Sequence, residues 1–131
     1  MTKIEPVVDV NELSRISAGT TVEGNITCNG DVRIDGKVKG TLYSTGKIVV
    51  GESAQLKGNM LCGATDFWGK MDGDIYVKDV LALKSTSVVN GNIHVQKFQV
   101  EMGAAINGSF SMISEGDFDK LRDSVISTKP R

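Results

Sequence analysis

Apolar and polar residues alternate along most of this chain with a period of two, and glycine interrupts the alternation at even intervals. One five-residue phrase occurs six times: a hydrophobic residue, any residue, glycine, any residue, a second hydrophobic residue. It reads VEGNI at 22–26, VKGTL at 38–42, LKGNM at 56–60, MDGDI at 71–75, VNGNI at 89–93 and INGSF at 106–110. The central glycines are Gly24, Gly40, Gly58, Gly73, Gly91 and Gly108, separated by 16, 18, 15, 18 and 17 residues. In a strand, residues two apart share a face, so each phrase sends both of its hydrophobic residues inward.

The same parity continues past each phrase. The next inward position is Cys28, Ser44, Cys62, Val77, Val95 or Met112. A second inward pair follows in five of the repeats: Val32 and Ile34, Ile48 and Val50, Thr65 and Phe67, Leu81 and Leu83, Phe98 and Val100. A unit near 17 residues is too short for the helical repeat families, and it suits one coil of three short strands and three corners. The pattern therefore predicts an all-β single-stranded parallel β-helix, a β-solenoid of about six coils around a three-sided hydrophobic core. The glycine of each phrase falls at a corner, where a side chain would meet the core or force an unfavourable φ. Hairpin turns of an antiparallel sandwich are the competing reading of these glycines, and they give no reason for six segments to share one phrase.

Length variation is confined to few places. The segments GESAQ, KSTSV and EMGAA make some coils longer, and all align on the same edge of the prism. The β-helix is expected over residues 20–112, about 29 Å long at roughly 4.8 Å per coil. Residues 1–19 carry no β period and are expected to be a flexible amino-terminal tail. Residues 113–131 are expected to be a flexible or weakly helical carboxy-terminal tail, with Phe118, Leu121 and Val125 at helical spacing behind a candidate cap at Ser114.

Composition adds exclusions. The chain has 131 residues, 15 glycines, 2 prolines and only 5% aromatics, as a narrow aliphatic interior requires. With 15 basic and 16 acidic side chains the net charge is −1, which offers no overall footprint for nucleic acid. No apolar run reaches the roughly 18 residues that span a bilayer, and Glu5, Asp9 and Glu12 break up any signal sequence. A cytoplasmic protein is the expectation. Cys28 and Cys62 share an inward column two coils apart, roughly 9.6 Å between Cα atoms and beyond disulfide reach, so buried thiols are expected.

No phosphate-loop motif GxxxxGK[ST] occurs. His94, the one histidine, alternates with inward Ile93 and Val95 and should face solvent without a partner for acid–base work. One histidine and two separated thiols make no metal site. Neither a catalytic residue, a metal ligand nor a cofactor is assigned.

Surfaces remain. A β-helix has two ends of unpaired backbone and exposed core, which recruit further strands unless capped. The first coil opens with Val22 and Ile26, and the last closes with Ile106, Phe110 and Met112; these five are the candidate polymerisation interface. A second candidate surface, for lateral contact or a partner, is the outward stripe of Tyr43, Leu61 and Tyr76 together with Trp68.

The succession GDVRIDGKVKGTL, GKIVVGESAQLKGNM and the later GNI and GSF phrases resembles the bactofilins, bacterial polymer-forming cytoskeletal proteins, over about residues 16–113. The resemblance implies a right-handed β-helix between flexible tails. It also implies end-to-end, nucleotide-independent assembly with the chain itself as partner. Further expectations are a scaffold role in cell shape, wall synthesis or polar organisation, contact with cell-wall or polarity proteins, and membrane contact through the amino-terminal tail on the inner face of the cytoplasmic membrane. Two other classes compete. A hexapeptide-repeat acyltransferase has coils of similar length, but needs a strict six-residue period that coils of 15 to 18 residues break. A β-solenoid binding module with a threonine array finds no such array in the outward columns.

Overall fold

The computed structural model describes residues 7–10 and 14–126. Parallel strands dominate: β1 (Val7–Val10), β2 (Ser14–Ile16), β3 (Thr21–Cys28), β4 (Val32–Ile34), β5 (Lys37–Ser44), β6 (Lys47–Val50), β7 (Gln55–Phe67), β8 (Lys70–Leu83), β9 (Val88–Val100) and β10 (Ala105–Met112). One helix, α1 (Glu115–Ile126), follows. The molecule is a parallel β-solenoid of about six turns.

Its register is the one the alternation predicts. Gly24 pairs with Gly40, Gly40 with Gly58, Gly58 with Gly73, and Gly91 with Gly108. On the return face Val32 stacks under Ile48, Ile48 under Thr65, Thr65 under Leu81 and Leu81 under Phe98. The ladders meet in one core, in which Ile34, Ile48, Val50, Met60, Phe67, Ile75, Leu81, Leu83 and Ile93 are fully buried.

The glycine column keeps one of its two expected causes, the unfavourable φ, and exchanges the other, the clash with the core. Its φ angles run from 124° to 148°, a region that side chains rarely adopt. A Cβ on Gly40 or Gly58 would strike the carbonyl oxygen of the glycine one coil earlier, not a core side chain. Backbone rests on backbone at this corner, and each glycine makes room for the next.

The longer corners all close the same way. The amides of Thr20, Ala54, Ser87 and Ala104 donate to the carbonyls of Ser17, Gly51, Lys84 and Glu101 at 3.0–3.2 Å. Ser53 Oγ donates to the Asp35 carbonyl and Thr86 Oγ1 to the Trp68 carbonyl, each at 2.7 Å, tying these turns to the coil below. The longer turns share one edge, and single-residue register shifts at Cys62/Ala64 and Val77/Val80 absorb a smaller variation at a second corner.

The expected amino-terminal tail is corrected where it is described, and of the two states expected for the carboxy-terminal tail the helical one is found. β1 pairs in parallel with β3, setting Val8 beside Ile26 and Val10 beside Cys28, and β2 pairs with β4, setting Ile16 beside Ile34. Strands therefore begin before residue 20. The signal was weak because this partial coil lacks the glycine phrase and carries Asp9 and Arg15 among its apolar residues. The rest of the amino-terminal stretch, on which membrane contact was expected, lies outside the described residues. At the other end α1 is a formed helix. Ser114 and Asp117 cap it reciprocally: the Asp117 amide donates to Ser114 Oγ at 3.1 Å and the Ser114 amide to Asp117 Oδ2 at 3.2 Å. These bonds hold the Asp117 carboxyl below its ordinary pKa.

Candidate functional site

The carboxy-terminal end of the solenoid is an open apolar surface. Phe110 is 42% exposed and Met112 63%, whereas Ile93 and Val95, one coil below, are completely buried. The reason is topological. β10 has no return strand after it, so Phe98 and Val100 lose the cover that each lower coil receives. Val100 is accordingly 46% exposed, and Met102 stands out at the adjoining turn. Phe98 and Phe110 pack tilted against each other with centroids 4.1 Å apart, and Ile106 is half-buried beside them. Asn107 and Ser109 form a polar rim, donating to Asn90 Oδ1 at 2.9 Å and Asn92 Oδ1 at 2.5 Å. The structure thus gathers Ile106, Phe110 and Met112 as expected, and adds Phe98 and Val100. Those two were visible as the last inward pair, but their exposure depends on the missing return strand.

The amino-terminal half of the expected interface is corrected. Val22 and Ile26 are 3% and 7% exposed, and β1 lies against Ile26 and Cys28. Both are core residues, and at Ile26 a further partial coil, β1, occupies the edge expected to be open.

The flank is corrected as well. Thr27, Tyr43, Leu61, Tyr76, His94 and Ser111 do form one column, strand beside strand. Yet Leu61 is fully buried and Tyr76 nearly so, because α1 lies on them. Phe118 inserts between Leu61 and Tyr76 and is 3% exposed, with Tyr43, Ile113 and Leu121 around it. Lys78 Nζ reaches Asp119 Oδ1 at 3.8 Å, and Arg122 joins the same carboxylate at 3.4 Å. Burial, followed by the neighbouring Asp74 carboxylate, pushes the Tyr76 hydroxyl above its ordinary pKa. An isolated helix of 12 residues is marginal in water, so docking on this stripe and helix formation are one event. The stripe and the helical spacing of Phe118 and Leu121 were each readable; that they fit each other was not. Trp68 lies apart, half-buried, with Lys84 Nζ 5.5 Å from its ring centroid.

The remaining groups have structural places. His94 stacks on Tyr76, with ring centroids 4.9 Å apart and 8° between planes. Cys28 and Cys62 are buried thiols. The Cys62 sulfur contacts Thr65 Oγ1 at 2.6 Å, and burial pushes its pKa up to about 12, well away from thiolate reactivity at neutral pH. Among the described residues no three histidine, cysteine, aspartate or glutamate side chains are grouped to hold a metal.

A family model described as polymer-forming cytoskeletal, the bactofilin model, matches residues 14–111. The chain belongs to the bactofilin family. The match starts at β2 and runs to residue 111, one short of the end of β10, so the bactofilin region covers the solenoid apart from β1 and Met112. Neither the curated proteins nor the solved structures provide a match to this bactofilin. Among its described residues no helix is long and apolar enough to cross a membrane.

Proposed function

We propose that this bactofilin is a non-catalytic scaffold subunit that joins copies of itself end to end into filaments without nucleotide. One observation carries the reading: the carboxy-terminal end exposes Val100, Phe110 and Met112 beside the partly buried Phe98, and α1, the one helix among the described residues, lies along the flank and does not cap it. Stacking one coil on another already builds the molecule, and a second molecule placed on that end buries the same kinds of side chain by the same parallel pairing. Ile106, Phe110 and Met112 are the assembly residues of this end. The glycine column serves the stacking geometry and has no chemical role. Support of cell shape, wall synthesis or polar organisation is the cellular role that the family relationship favours, in the cytoplasm, with morphogenetic proteins as further partners.

The test is Phe110→Arg. The residue is half open in the protomer, so the fold accommodates the change, but each joint would then bury an unpaired guanidinium. Such a charge costs about 3–5 kcal/mol, more than a hundredfold in association. Negative-stain microscopy of the purified, nucleotide-free protein is expected to show filaments for the wild type and short particles for the variant. Filaments of equal length in both would end this reading.

A further inference from the structure

Sulfur is unevenly placed in this molecule. Met60 and Met71 are fully buried in the solenoid core, and the thiols of Cys28 and Cys62 are buried with them. Met102 and Met112, in contrast, are 95% and 63% exposed. Met102 follows β9 and Met112 ends β10, so both belong to the carboxy-terminal tip. Among the described residues, every sulfur open to solvent is therefore at one end of the rod, the end at which the proposed assembly takes place.

Folding alone does not explain either residue. Met112 lies beside Val95 and Val95 beside Val77; both valines are covered by the next rung, whereas Met112 is not. Met102 sits in the turn that the Ala104 amide closes onto the Glu101 carbonyl. The same place in the equivalent turns holds Ala18, Glu52 and Ser85, all exposed. A long thioether there keeps its apolar surface in water and contributes nothing to the solenoid. Its flexible, polarisable chain suits a contact made with another molecule. The same exposure admits a small oxidant.

We infer that Met112 and Met102 form a peroxide-modification site, at which conversion of the thioethers to sulfoxides closes the tip to a further subunit. A sulfur lone pair attacks one oxygen of hydrogen peroxide, and the S–O bond forms as the O–O bond breaks. The departing hydroxide takes the proton of the transferred oxygen and leaves as water. The sulfur loses two electrons and the peroxide gains them. The product is polar and chiral, and a methionine sulfoxide reductase with a thiol donor returns it to the thioether. A sulfoxide oxygen buried at a joint without a donor would weaken association by roughly 5- to 150-fold. Cys62 does not compete for the oxidant, because burial pushes its pKa up to about 12 and leaves it a shielded thiol. A formed joint covers Met112, so oxidation acts on free subunits and growing tips. Closure of the tip rests on the filament reading; oxidation of the two methionines does not.

The experiment treats the purified protein with hydrogen peroxide, quenches it with free methionine, and follows each methionine by peptide mass spectrometry and filament length by negative-stain microscopy. In Phe110→Arg, whose tips stay free, Met102 and Met112 should gain oxygen at least about tenfold faster than Met60 and Met71. In the wild type Met112 should react more slowly than in Phe110→Arg, and filaments should shorten as its sulfoxide accumulates. Methionine sulfoxide reductases of both stereospecificities, with dithiothreitol, should restore their length. Peroxide should leave Met112→Leu filaments at their starting length, whatever that length is. Equal oxidation of the buried methionines, full-length filaments from protein carrying sulfoxide at Met112, or shortening that the reductases do not reverse would each overturn the proposal. Absence of filaments before any peroxide is added would sink the assembly reading, and the peptide masses would still decide whether the tip is the oxidised site.

Discussion

Replacing Gly58 by alanine tests the corner on which the solenoid is stacked. Two costs add at this site. The backbone there has φ 125°, and holding a residue with a side chain in such a region costs about 1–3 kcal/mol. The new methyl would also occupy the space of the Gly40 carbonyl oxygen. That oxygen belongs to a paired strand and cannot withdraw without opening a rung, so a further cost of about 1–3 kcal/mol is expected, as for overpacking elsewhere. The sum, about 2–6 kcal/mol, corresponds to a melting point lowered by roughly 8–24 °C for a domain of this size. Gly19 separates the two terms. Its φ is 87°, but a Cβ there would meet nothing within 4 Å, so Gly19→Ala should cost backbone strain alone, about 1–2 kcal/mol. Gly116→Ala, with only Ser114 Oγ near the added carbon at 3.9 Å, should stabilise α1 slightly. Thermal unfolding followed by circular dichroism, with Phe110→Arg present throughout to keep the protein unassembled, ranks the three. If Gly58→Ala melts no lower than Gly19→Ala, the backbone-on-backbone explanation of the glycine column is wrong.

Other outcomes follow from the flank and the core. Phe118→Ala removes the side chain that seats α1 and should cost about 2–4 kcal/mol of docking; amide exchange should become fast in α1 while β8 and β9 stay protected. Asp117 has a folded pKa below its ordinary value, so its contribution to the cap is present above the ordinary carboxylate range and is lost as pH falls through the lowered one. Helical signal should decline there in the wild type, whereas Asp117→Asn should start with a weaker helix and show less change over the same range. Cys62 behaves in the opposite sense: its folded pKa is raised from 9.0 to about 12, so its stabilisation is complete below pH 9 and is lost between those values. Its thiol should stay unreactive toward aromatic disulfides at neutral pH until the protein unfolds. Cys62→Ala should flatten the alkaline limb of the stability profile.

Much of this architecture is legible in the alternation because the core is one-dimensional. Each coil repeats the environment of the last, so Ile26, Leu42, Met60, Ile75 and Ile93 reveal their neighbours by position alone. The misreadings arose where the repeat stops. β1 and β2 take their pairing from the coil beside them and need no glycine phrase of their own, so residues 7–16 looked irregular. Likewise, Tyr43, Leu61 and Tyr76 read as an outward stripe awaiting a partner, and the partner was a short helix later in the same chain. Periodicity shows which residues face outward, but not what covers them.

The course of α1 bears on how this protein can be watched in a cell. The helix leaves the last coil at Ser114, seats Phe118 on Leu61 and Tyr76, and brings Arg122 towards Tyr43, so it heads back along the rod. A fluorescent reporter inserted at the far end of α1 would start from the side of the rod, away from the carboxy-terminal tip at which the proposed assembly takes place. One inserted between Met112 and Ser114 would sit on that tip and act as a plug.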